Sequence, residues 1–110
     1  IGSVSSIQEN IVRIENASDK ITKISGYTYQ YKRSQTEIEK GQKSVSASGV
    51  LAQEIEQILP EAIQTNESGE YFVDYAALTP LLIEAIKEQN AKIKAFEKLI
   101  ESIEKKLLKF

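Results

Sequence analysis

Cysteine, histidine, methionine and tryptophan are all missing from this chain of 110 residues. Without cysteine there are no disulfides and no thiol chemistry, and without histidine the commonest base near neutral pH is gone. Together the two absences leave no ordinary zinc site, so no metal is expected, and no cofactor either. Only two prolines and five glycines occur, so long stretches can stay regular. No apolar run approaches the roughly 20 residues of a membrane span, and the start does not read as a secretory signal, so no membrane contact is expected. The lack of an initiating Met suggests a segment of a longer chain. No G-x-x-x-x-G-K-[ST] stretch is present to cradle a nucleotide phosphate.

What is present is one domain's worth of hydrophobic residues (41%) and a generous share of charge (27%). The net charge of −2 is uneven: seven basic and four acidic residues give positions 87–110 a local charge of +3. Its lysines alternate with glutamates as on the solvated flank of a coiled coil, and no arginine cluster or aromatic platform accompanies them, so no nucleic-acid partner is expected.

The longest ordered signal lies near the end. Ile86, Ile93, Ile100 and Leu107 recur every seven residues, and Leu82, Gln89, Phe96, Ile103 and Phe110 follow the complementary spacing. This is an a/d heptad row with Gln89 as its one polar member. Pro80 sits where a first helical turn accepts proline. A helix over 78–110 would run roughly 50 Å, longer than a head of this size, about 25–30 Å across, can cover. Copies of the same helix must then cover the row, and isoleucine at both seam positions favours three strands. The expected architecture is α+β: a head of short helices and strands over 1–77, then a helix over 78–110 forming a parallel trimeric coiled coil. The trimer seam is assigned to Leu82, Ile86, Ile93, Phe96, Ile100, Ile103 and Leu107.

Within the head, Asn10 to Ile14 reads as a short extended piece. Asn16 or Ser18 can cap a short helix with Ala17, Ile21 and Ile24 inward. Tyr27, Tyr29 and Tyr31 alternate along a strand, and their aromatic face is expected to pack on a core, with ligand binding as the alternative. Residues 32–48 are polar and read as a protruding mobile loop or an extended hairpin. Gly49-Val50-Leu51 opens a helix with Ile55, Ile58 and Leu59 on one face, and Pro60 ends it. Ala62-Ile63 and Tyr71 to Tyr75 are strands around the turn residues Asn66-Glu67-Ser68-Gly69.

The stretch from Gly49 to Ile63, GVLAQEIEQILPEAI, resembles the central motif of the C-terminal intramolecular chaperone domains of phage tail spikes, tail fibres and neck appendages, the endosialidase type. Val73-Asp74-Tyr75 and the segment Leu78 to Lys87 are similar to the stretch that follows in that family, and Gly26 to Tyr31 resembles its G-x-x-Y-x-Y/W strand. The resemblance implies a module that trimerises, aligns three chains, helps a β-rich fibre upstream to fold in the host cytoplasm during virion assembly, and then releases itself by cutting its own chain once. A β-rich fibre has many non-local pairings and nucleates slowly, which is the kind of step a pre-formed trimer assists. The partners implied are two further copies of the chain and the upstream fibre segment.

The family's cut uses a serine at the domain's start and a lysine five residues on. Aligned on Asn10-Ile11, Ser3 takes the nucleophile position, the following acid is Val4, and the lysine position holds Gln8. A neutral lysine amine can accept the serine proton; a glutamine amide cannot. Ile1 and Gly2 still precede Ser3, as in an uncleaved junction or a cloning remnant, and this chain is expected to be inactive in cleavage. The alternative function is a permanently attached trimerisation domain of a fibre or tethered regulator. A hydrolase acting on foreign substrates lacks the base it would need.

Overall fold

The computed structural model describes residues 7–109. Short helices and strands come first and a long helix last: α1 (Ala17–Thr22), β1 (Tyr27–Gln30), α2 (Gln35–Glu39), β2 (Ser46–Gly49), α3 (Ala52–Ile58), β3 (Ile63–Thr65), β4 (Tyr71–Val73) and α4 (Thr79–Leu107), with 3-10 turns at Pro60–Ala62 and Tyr75–Leu78. Two compact units result, one of Asp19–Thr79 and one that gathers the described residues up to Ser18 with the chain from Pro80 onward. The expected extended piece at Asn10 to Ile14 is irregular, with Asn10 in the left-handed region at φ 55°.

The Asp19–Thr79 unit has a small core set by the spacing of its apolar residues. Ile55, Ile58, Leu59, Ala62 and Leu78 are buried, and Ile55 is fully so. The offsets of three and four residues place Ile55, Ile58 and Leu59 on one face of α3 and its last turn. Pro60 then starts a 3-10 turn, where its missing N–H costs nothing. β3 and β4 pair antiparallel, with Ile63 opposite Val73 and Thr65 opposite Tyr71. Asn66 shapes their connection: its side-chain oxygen accepts from the N–H groups of Ser68 at 3.0 Å and Glu70 at 2.9 Å. Gly69 completes the turn at φ 80°, a conformation that costs other residues strain.

The polar stretch 32–48 belongs to a hairpin. β1 and β2 pair antiparallel from Tyr27↔Gly49 to Gln30↔Ser46. Between them sits α2, closed by a reciprocal cap in which Ser34 Oγ accepts from the Glu37 N–H at 3.2 Å and the Glu37 carboxylate accepts from the Ser34 N–H at 3.1 Å. That bond with Ser34 holds the Glu37 carboxyl below its ordinary pKa. The tyrosines depart from the core-packing expectation: Tyr27, Tyr29 and Tyr31 are 38%, 43% and 57% exposed. The physical reason lies across the strand, where Tyr27 is paired with Gly49, which has no side chain, and Tyr29 with Ala47, whose methyl group is too small to cover a ring. The rings satisfy themselves locally. Tyr29 and Tyr31 meet edge to face at 5.3 Å and share a hydroxyl–hydroxyl hydrogen bond, which raises the Tyr29 pKa, and Tyr27 donates to Glu54 at 3.1 Å.

Gly49 is required for a close approach. A Cβ there would lie 2.5 Å from the Tyr75 hydroxyl, which itself accepts from the Val50 N–H at 3.2 Å.

Truncation should separate core from surface. Ile55→Ala is expected to cost about 2–5 kcal/mol, and Ile38→Ala on α2 less than about 0.5 kcal/mol. Urea unfolding at fixed protein concentration measures both, and equal losses would place the core elsewhere.

Candidate functional site

α4 is continuous for 29 residues and carries the heptad row expected for it. Ile86 is 67% exposed, Phe96 62% and Leu107 66%, and Leu82, Ile93, Ile100 and Ile103 are about half exposed. Gln89 is exposed too, and no residue from Gln89 to Lys109 is buried. The pattern undercounts the apolar surface, since Ile83, Leu99 and Leu108 are exposed outside the strict a/d positions. Phe110, the last member of the row, lies outside the described residues.

Another side of the same helix is covered. Leu81 and Ala85 are buried, and they lie about a quarter-turn around the axis from Leu82, Ile86 and Gln89 at 3.6 residues per turn. One turn on from Ala85, Glu88 reaches back to the start of α1. Its two carboxylate oxygens accept from the N–H groups of Ala17 at 2.8 Å and Ser18 at 3.0 Å, and Ser18 Oγ donates to the Ala85 carbonyl at 3.2 Å. These backbone donors, Ser18 first, hold the Glu88 carboxyl below its ordinary pKa. The expected caps of α1 were Asn16 or Ser18, but its orphan N–H groups are taken by a carboxylate 70 residues away in sequence. Asn16 instead turns the chain at φ 54°, a conformation asparagine tolerates better than most residues. Arg13 adds an ion pair to Glu84 at 3.7 Å, and Glu84 also meets Lys87 at 3.2 Å, both solvent-screened. Ile11 to Ile14 line a mostly apolar cleft of about 530 Å³ with Pro80, Ile83 and Glu84.

Ser3 lies outside the described residues, as do Gly2 and Val4, and Gln8 is exposed. Among the described residues no His/Cys/Asp/Glu group is placed to hold a metal ion, and no helix is long and apolar enough to cross a membrane.

The Glu88 link should depend on pH. Because its pKa is lowered in the folded chain, the stabilisation it gives is fully present above the ordinary glutamate value of about 4.3 and disappears as pH falls through the lower folded value. Protection of the Ala17 and Ser18 amides from hydrogen exchange should persist at neutral pH and collapse in acid, and Glu88→Gln should remove that acid step.

Residues 6–64 match the chaperone-of-endosialidase family. The chain is also similar to the long tail fiber protein Gp37 of Escherichia phage AR1, with 39% identity over 84 residues, 74% of this chain and 8% of that protein. For Gp37 of Enterobacteria phage K3 the identity is 32% over 95 residues, 83% of this chain and 7% of the relative. For Gp37 of Salmonella phage S16 it is 29% over 107 residues, 94% and 14%. The chain thus spans less than a fifth of the length of these relatives. The family match takes in α1 to α3, both strands of the tyrosine hairpin and the motif whose Ile55, Ile58, Leu59 and Ala62 form the buried core. By that match over more than half its length, this chain belongs to the chaperone-of-endosialidase family.

Proposed function

We propose that this chain is the intramolecular chaperone of a phage tail fibre: it trimerises through α4, brings three chains level, and supports the folding of a fibre segment that precedes it in the same polypeptide. The observation that carries this reading is the uncovered apolar row of α4, with Ile86, Phe96 and Leu107 each more than 60% exposed. A row of that length facing water is unfavourable by the area rule for apolar surface, and parallel copies of the same helix bury it knob into hole. The similarity to long tail fiber proteins supports a fibre as the client and virion assembly in the host cytoplasm as the setting. In this reading residues 1–77 act as the chaperone head, the hairpin tip within 32–48 as its arm, and 78–110 as the trimerisation helix. Three linked chain ends reach an effective concentration of about a millimolar over short connections, which is what slow, non-local β pairing needs.

A second reading favours permanent attachment, and Gln8 carries it. If Ser3 Oγ attacks the Gly2 carbonyl, an ester forms as the Gly2–Ser3 C–N bond breaks, and the serine proton passes through a base to the freed Ser3 amine. Water then hydrolyses the ester to leave a Gly2 carboxylate and the Ser3 hydroxyl. The proton must go to a base, and a glutamine amide at position 8 is not one. The chain as written then keeps its fibre.

Two experiments test these readings. Sedimentation equilibrium at micromolar concentration should give three times the chain mass of 12.3 kDa, and Ile93→Asp with Ile100→Asp should dissociate it by placing unpaired charge in the seam. A monomer for the unmodified chain would overturn the assembly. In a fusion to an upstream fibre segment, Gln8→Lys should restore cutting between Gly2 and Ser3 by the factor of about 10²–10⁴ that general-base help supplies, and Ser3→Ala should abolish it. An intact Gln8→Lys fusion in a verified trimer would overturn the cleavage assignment.

A further inference from the structure

Glu88 and Gln89 are neighbours on α4, and the helix turns them about 100° apart. Gln89 falls in the heptad row between Leu82 and Phe96 and is the polar exception there. Glu88 falls on the other side, where its carboxylate binds the Ala17 and Ser18 N–H groups at 2.8 and 3.0 Å. One short stretch of helix therefore carries both the polar position of the row and the anchor of the incoming chain.

We propose that Glu88 and Gln89 form the register device of the assembly: Gln89 sets the level at which three α4 helices meet, and Glu88 fixes each chain's Arg13–Ser18 segment at that same level. The inference rests on the trimeric reading above and adds the residues that determine its alignment. An apolar heptad row does not by itself choose between registers one heptad apart, because isoleucine or leucine meets isoleucine or phenylalanine in either. Gln89 does choose. In register, three side-chain amides share one layer and donate to one another; shifted by a heptad, each would lie against Leu82 or Phe96 with its donors unpaired. The aligned helices would still leave the incoming segments at unequal heights if those segments were loosely held. Glu88 prevents this with two charge-assisted bonds to backbone groups, which side-chain variation along the segment cannot displace. Ser18 Oγ on the Ala85 carbonyl, 3.2 Å away, is a third fixed point one helical turn earlier. The level chosen in the seam is thus passed to the chain entering the domain through adjacent residues of one rigid helix.

The native lack of cysteine makes the test clean. Spin labels are attached at Ser102→Cys, on an exposed side of α4, or at Glu15→Cys, in the incoming segment. Pulsed dipolar distances are then measured in samples whose trimeric mass is confirmed by sedimentation. A failure of that mass is a failure of the trimer and is read separately from the distances. In the otherwise native sequence each label should give one narrow distance, as three-fold symmetry requires. Gln89→Ile should keep or strengthen the trimer but add further distances at both labels. Glu88→Ala should broaden the Glu15 label only and leave the Ser102 label narrow. A single narrow Ser102 distance in the Gln89→Ile trimer would overturn the role of Gln89. An unchanged Glu15 distance in the Glu88→Ala trimer would overturn that of Glu88.

Discussion

An apolar row on α4 stays in water within a single chain, and that unmet burial is the constraint on which the rest depends. At about 25 cal/mol for each Å² of apolar surface, covering side chains such as Ile86, Ile93 and Phe96 is worth several kcal/mol per helix, comparable with the net stability of a small domain. The Asp19–Thr79 unit has no such surplus. Its core is a handful of residues on α3, one 3-10 turn and Leu78. Small units with thin cores are marginal on their own, so stability is expected to come with assembly. In the proposed trimer, assembly and folding would be one event, which suits a module whose proposed task is to begin the folding of something larger.

The motif that identifies the family is also the structural centre of its unit. Ile55, Ile58, Leu59 and Ala62 supply the buried positions, and Pro60 converts the end of α3 into the turn that leads to β3. Gly49, the motif's first residue, admits the Tyr75 hydroxyl where any Cβ would collide. Residues that identify the family are thus explained by packing, without appeal to chemistry at those positions. The position expected to hold the family's lysine, Gln8, lies outside that motif and stands exposed near the start of the chain.

Glu88 shows how a tertiary bond can do work that local sequence cannot. The start of α1 has a serine and an asparagine at hand for capping, yet the donors of Ala17 and Ser18 go to a carboxylate from α4. A local cap would stabilise six residues of helix and nothing else. The distant carboxylate joins two parts of the chain and places the bond one residue from the polar position of the apolar row.

The sequence by itself determined the elements governed by short-range periodicity and local sterics. The heptad spacing announced α4, the three- and four-residue spacing around Ile55 announced α3, and Asn66 with Gly69 announced the β3–β4 turn. Family membership was legible for the same reason, because the motif is a contiguous core segment. Only the tertiary structure decided what depends on long-range partners. It left Tyr27, Tyr29 and Tyr31 exposed, because alternation predicts that side chains share a face but not whether anything covers it. It organised the polar stretch after β1 into a hairpin with a capped helical tip, where composition alone left loop and hairpin equally open. It also assigned Glu88 to α1, a pairing across 70 residues that no local pattern encodes, since hydrogen bonds form by proximity in space and the chain's path sets that proximity.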